Sequence, residues 1–134
     1  MNFPSISPFC RRALVATLLG ATLALGACAM TASSPATASN GVFTNGAGMT
    51  LYTFDKDTAG SGKSVCNGPC VQLWPPLIAA ADAKPSGDWT VVTRDDGAKQ
   101  WAYKGKPVYA FSRDTAPGDR KGDGFNQAWS LAKP

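Results

Sequence analysis

The sequence predicts a mainly β fold: a small, two-repeat antiparallel domain with one short helix, preceded by a signal peptide and a flexible tether. Three observations predict it. Runs rich in β-branched and aromatic residues, parted by Gly-, Asn- and Asp-bearing turns, fill most of the chain after residue 41. One segment carries helix start and stop signals. The stretch from Leu51 to Ala59 recurs from Val108 to Ala116 at a constant offset of 57 residues.

Composition narrows the chemistry. A chain of 134 residues with 44% hydrophobic and 16% charged residues suits one globular domain and argues against disorder. It has no His, and all nine acidic residues are Asp. His-based catalytic triads, His-bound zinc and His-ligated haem are excluded. Thiol chemistry, Asp chemistry and oxygen-ligand metals remain open.

The first element is a targeting segment. Arg11 and Arg12 precede a 13-residue apolar run from Ala13 to Leu25, too short for a spanning helix and suited to a signal-peptide core. The residues Leu25, Gly26, Ala27 and Cys28 that follow resemble a bacterial lipobox. That resemblance implies cleavage before Cys28, diacylglycerol on its sulfur and a membrane partner through the lipid anchor. Ala29 after the Cys implies the outer membrane in a Gram-negative cell, facing the periplasm or the surface. Residues 1–27 are thus read as signal peptide, 28–40 as lipidated Cys and flexible linker, and 41–134 as the repeat domain. Met30 to Asn40 is small, polar and uncharged, as a tether should be. Loss of Arg11 and Arg12 lowers the formal charge from +4 to +2, which gives no case for nucleic acid binding.

In the domain, Val42 to Thr44 and Thr50 to Phe54 flank a turn at Asn45 to Gly48 and read as a first hairpin. Gly68 and Pro69 open a short helix through Trp74, which Pro75 and Pro76 end. Trp89 to Arg94, Lys99 to Tyr103 and Pro107 to Ser112 form a meander through turns at Asp95 to Gly97 and Lys104 to Lys106. A last strand falls at Ala128 to Leu131. Cys66 and Cys70, the cysteines left in the mature oxidising compartment, predict a disulfide with Cys66 outside the helix.

Within the repeat, Tyr52, Phe54 and Asp57 recur as Tyr109, Phe111 and Asp114, and Trp74 recurs as Trp129 after a two-residue gap. The repeat cores span about 48–78 and 105–134. A duplicated Tyr-x-Phe-x-x-Asp behind a lipobox resembles the bacterial lipoprotein family of secreted tandem repeats with a Tyr-x-aromatic-x-x-Asp motif. The Cys-x-x-x-Cys at Cys66 and Cys70, the Trp-Pro-Pro at Trp74, and the Ala-Pro-Gly-Asp from Ala116 to Asp119 extend the likeness over the folded part. The family has no established activity, so the resemblance implies architecture and address more than function.

Two readings of the motif stand side by side. In one, Tyr and Phe are core, and Asp57 and Asp114 accept hydrogen bonds from loop N–H groups in Asx-type turns. In the other, the Asp loops are paired ligand sites. Asp114, Asp119 and Asp123 are weak calcium candidates, since their spacing is not that of an EF-hand and no Glu is present. Three residues between Cys66 and Cys70, where thioredoxin-type motifs have two, speak against thiol redox catalysis. No serine has a nucleophile motif around it. The expectation is a lipid-anchored, non-catalytic binding or structural module of the cell envelope, without a cofactor and with its protein or small-molecule partner unknown. A periplasmic redox protein or a calcium-dependent ligand binder is the alternative.

Overall fold

The computed structural model describes residues 34–134. The signal peptide, Cys28 and the first part of the tether lie outside the described residues. Seven strands follow in order: β1 (Thr37–Ser39), β2 (Val42–Thr44), β3 (Tyr52–Phe54), then β4 (Trp89–Thr93), β5 (Lys99–Tyr103), β6 (Lys106–Tyr109) and β7 (Trp129–Leu131). Helix α1 (Pro69–Leu73) lies between β3 and β4, and a 3-10 turn (Phe125–Gln127) leads into β7. The fold is mainly β, with two antiparallel sheets: a β1–β2 ribbon and a five-stranded sheet in the order β4-β5-β6-β3-β7.

That order interleaves the repeats. Strand β3 from the first repeat sits between β6 and β7 from the second. Its Tyr52 lies directly opposite Tyr109 in the β3–β6 ladder, so the equivalent residues of the two repeats are cross-strand partners. Such self-pairing is what a local two-fold between the strands produces. The pairing extends outward: Tyr52 faces Leu131 of β7, and Tyr109 faces Pro76 through an isolated bridge. The segment after Trp74 is therefore the first-repeat counterpart of β7. It lies along β6, with Leu77 N–H on Val108 O at 3.0 Å and Ala110 N–H on Pro75 O at 2.8 Å. It makes no regular strand, since Pro75 and Pro76 have no N–H to donate.

Strand alternation divides the interior into two cores. Adjacent residues point to opposite faces, so Leu51 and Val108 enter one cluster with Phe43, Trp89 and Ala132, while Tyr52 and Tyr109 enter the other with Trp74, Phe111 and Trp129. Leu51, Tyr52, Val108 and Tyr109 are all fully buried.

Helix α1 keeps the predicted limits. Pro69 takes the first turn, where its missing N–H costs nothing, and Trp74 caps the end with its N–H on Cys70 O. The β4–β5–β6 meander and the final strand also form where expected, though β6 ends at Tyr109, short of Ser112. Two expectations change. Thr37–Ser39, expected in the tether, form β1, and Ala36 is buried beside Phe43. Backbone pairing does not depend on apolar side chains, and all three β1 residues are exposed, so composition concealed the strand. The expected first hairpin reduces to a single Thr44–Thr50 bridge, because β2 pairs with β1 and both edges of β3 are taken by β6 and β7.

Candidate functional site

The duplicated motif converges on the aromatic core between the repeats, where each tyrosine reaches the aspartate of the other repeat. Tyr52 Oη donates to Asp114 Oδ2 at 2.7 Å, and Tyr109 Oη donates to Asp57 Oδ2 at 2.5 Å. The remaining oxygens take loop N–H groups: Asp57 Oδ1 accepts from Val65 at 2.7 Å and Asp114 Oδ1 from Lys121 at 3.0 Å. These donors lie eight and seven residues along the chain, where an Asx-type turn would place them about two residues on. Each Asp thus closes a whole loop and ties it to the opposite repeat. Both carboxylates are buried, with Asp57 1% exposed and Asp114 7%.

Burial and the bonded aspartate both push the phenol of Tyr52 above the ordinary tyrosine range, because each disfavours a second negative charge there. The same two causes, in the same order, raise Tyr109. Both phenols are neutral donors at physiological pH.

Around them the aromatic residues form a symmetric stack. Trp74 and Trp129 lie parallel, with centroids 3.6 Å apart and an interplanar angle of 4°. Tyr52 stands edge-on to Trp74 and Tyr109 edge-on to Trp129. Phe111 stacks on Trp74 and Phe54 on Trp129. Aromatic pairs of this kind contribute about 0.5–1.5 kcal/mol each beyond area burial, so the motif's Tyr, Phe and Trp form the centre of one core.

The two halves differ in their second partners. Tyr52 Oη accepts the Gly122 N–H at 3.2 Å. Tyr109 Oη instead meets Ser64 Oγ at 2.6 Å, and Ser64 Oγ also takes the N–H of Cys66 and Nη1 of Arg94. Since Tyr109 donates to Asp57 and Ser64 accepts from Arg94, Ser64 must donate to Tyr109. The chain from Arg94 through Ser64 and Tyr109 to Asp57 is therefore polarised in one direction, linking a buried cation to a buried anion. Arg94 is 2% exposed. Its other donors reach Gln100 Oε1, Cys66 O and Asn67 Oδ1, while its Nε has no hydrogen-bond partner. Sequence reasoning missed Ser64, Arg94 and Gln100, since an Arg at the end of a strand pattern reads as solvent-facing and nothing local marks its partners.

The Cys66–Cys70 disulfide is present, with the Cα atoms 5.3 Å apart. It fixes the loop whose carbonyl at Cys66 takes Arg94, and it packs against Trp74 within the same core.

The acidic candidates of the second loop do not converge. Asp119 Oδ2 accepts from the N–H groups of Thr115 and Ala116, which lower its pKa. Asp114 faces Tyr52 and Lys121. Among the described residues, no three Cys or Asp side chains gather as a metal-holding group.

Comparison with known proteins supplies one finding. A family model described as a secreted repeat of unknown function matches the chain twice, over residues 34–78 and 90–133. No curated protein and no solved structure matches it.

Proposed function

The chain belongs to this family of secreted repeats of unknown function, and from that membership we propose a lipid-anchored, non-catalytic protein of the cell envelope that serves as a binding or structural module. The observation that carries the proposal is the engagement of both motif carboxylates. Asp57 and Asp114 are buried, and every oxygen accepts a hydrogen bond from a tyrosine or a backbone N–H. A general base or nucleophile needs a free oxygen within reach of substrate, and neither Asp offers one. The duplicated motif is best understood as what locks two weakly related halves together. The surface is left free to vary and to bind.

The anchor is a separate part of the proposal, supported by Leu25, Gly26, Ala27 and Cys28 behind a short apolar run. Membrane fractionation tests it. The wild-type protein should stay with membranes through a high-salt wash, and Cys28→Ser should become soluble or remain unprocessed. A Cys28→Ser protein that is signal-cleaved yet still membrane-bound would overturn the anchor. The module reading has its own test. Asp57→Ala and Asp114→Ala should each lower the melting temperature, and calcium should leave the wild-type melting curve where a chelator leaves it. Alanine variants with unchanged stability would point to ligand-facing carboxylates instead.

A further inference from the structure

The charge on this small domain is unevenly placed. Among the described residues, the ion pairs are Lys63 with Asp95, Arg94 with Asp96 and Lys121 with Asp119. Lys104, Lys106 and Lys133 enter none of them. All three line one open pocket of about 400 Å³, whose walls contain no carboxylate. Its apolar surface comes from Tyr103, Ala59 and Leu131.

The backbone forms this pocket without a ligand. The β5–β6 turn at Lys104 and Gly105 has positive φ at both residues, 48° and 81°. A Cβ on Gly105 would lie 2.5 Å from Gly60 N, so only glycine lets the turn close on the loop after Asp57. Gly60 N–H bonds Gly105 O there at 3.0 Å. Lys106 Nζ is steadied by Phe54 O at 3.4 Å, and Lys104 Nζ lies 5.2 Å from the Tyr103 ring centroid. Neither contact neutralises an ammonium group. Lys133 reaches the pocket from the end of the chain beyond β7.

We propose that this pocket binds a phosphate-bearing anion with an apolar portion. Three lysines and no Asp in one lining suit a multiply charged anion, and a phosphate monoester carries about −1.5 to −2 charge near neutral pH. Tyr103 and Leu131 beside the lysines offer a surface for the rest of the molecule, and about 400 Å³ lies within the range of small-ligand sites, roughly 300–1,000 Å³. The inference rests on the binding-module reading and gives it a ligand chemistry. A free organophosphate and a phospholipid headgroup present the same chemistry.

The test uses the mature, full-length protein in neutral detergent micelles, titrated with phenyl phosphate and followed by amide NMR shifts. Phenol and inorganic phosphate serve as half-ligand controls. Shifts should centre on Tyr103 to Lys106 and Leu131 to Lys133, weaken with added salt, and be smaller with either half-ligand. The triple variant Lys104→Gln, Lys106→Gln, Lys133→Gln should bind at least about threefold more weakly, as expected for losing three exposed charge contacts. Lys99→Gln, outside the pocket, should bind as wild type. If the triple variant proves misfolded, the three single variants decide: each should weaken binding. In a second arm, phosphatidylglycerol replaces part of the detergent. Matching shifts and competition with phenyl phosphate would assign the lipid headgroup, and their absence the free organophosphate. The assignment is overturned if phenyl phosphate produces no shifts, or if the lysine variants bind as tightly as wild type. Neither result touches the anchor, which membrane fractionation of Cys28→Ser judges independently.

Discussion

Removing one oxygen at Tyr109 disturbs more of the molecule than its size suggests. Tyr109→Phe leaves Asp57 Oδ2 without a donor and the Ser64 hydroxyl proton without an acceptor, and so breaks the chain from Arg94 to Asp57. A buried polar group that loses its bond costs about 1–3 kcal/mol, and each kcal/mol is roughly 4–8 °C of melting temperature for a domain this small. Tyr52→Phe frees Asp114 Oδ2 and the Gly122 N–H but interrupts no chain to a buried cation, so thermal melting should rank Tyr109→Phe as the more damaging. The asparagine variants extend the contrast. Asp114→Asn keeps an acceptor for Lys121 and can turn its amide toward Tyr52. Asp57→Asn also removes the charge on which the chain from Arg94 through Ser64 and Tyr109 ends, so it should lower the melting temperature more than Asp114→Asn. Equal losses would refute the polarised chain. The tyrosines carry a pH prediction as well. Their phenols are raised in the fold from an ordinary value of 10.0. The folded state therefore retains protons that the unfolded state releases above that value. Stability from these groups is fully present below about pH 10 and is lost as pH rises further. Chemical denaturation across the alkaline range should show the decline, and Tyr52→Phe and Tyr109→Phe should reduce its slope.

At the scale of elements, the loop between β3 and α1 and the loop between β6 and the 3-10 turn do equivalent work by different means. The first is closed by Asp57, Ser64 and the disulfide, the second by Asp114 and the close approach of Gly122 to Trp74 and Tyr52. Alkylation followed by mass analysis should find Cys66 and Cys70 blocked until reduced. Reduction should destabilise the domain by about 2 kcal/mol, the chain-entropy value for so short a loop. In the second loop, a Cβ on Gly122 would lie 2.7 Å from Trp74 Cη2 and 3.0 Å from Tyr52 Cε1, with no positive φ involved. Gly122→Ala is thus a purely steric test of the core, expected to cost about 1–3 kcal/mol by overpacking. Gly46→Ala, which meets nothing within 4 Å, should be near neutral in the same denaturation experiment. These elements were unevenly legible. Helix α1 was readable because Pro69 and the Pro75–Pro76 pair are local signals. The Gly122 contact was not, because its partners are 48 and 70 residues away.

For the whole molecule, the interleaved strand order decides how the domain unfolds. Strand β3 has neighbours only from the other repeat, and Trp74 packs flat on Trp129 across the same boundary. Neither repeat can bury its Tyr or Trp alone, so calorimetry should record one two-state transition. Two resolved transitions would mean that the repeats are separable bodies. The sequence by itself determined what depends on neighbours in the chain: the strand alternation at Leu51–Tyr52 and Val108–Tyr109, the Gly and Pro punctuation, the duplicated motif, and the close Cys66–Cys70 pair. Tertiary structure alone decided which Tyr meets which Asp, that Thr37–Ser39 becomes a strand, that Arg94 turns inward and that three lysines share a pocket. A repeat read along the chain states only that both halves carry a donor and an acceptor. Within-repeat and cross-repeat pairing satisfy the same groups, and the choice follows from the antiparallel register that sets Tyr52 opposite Tyr109 and carries each hydroxyl to the other half's loop.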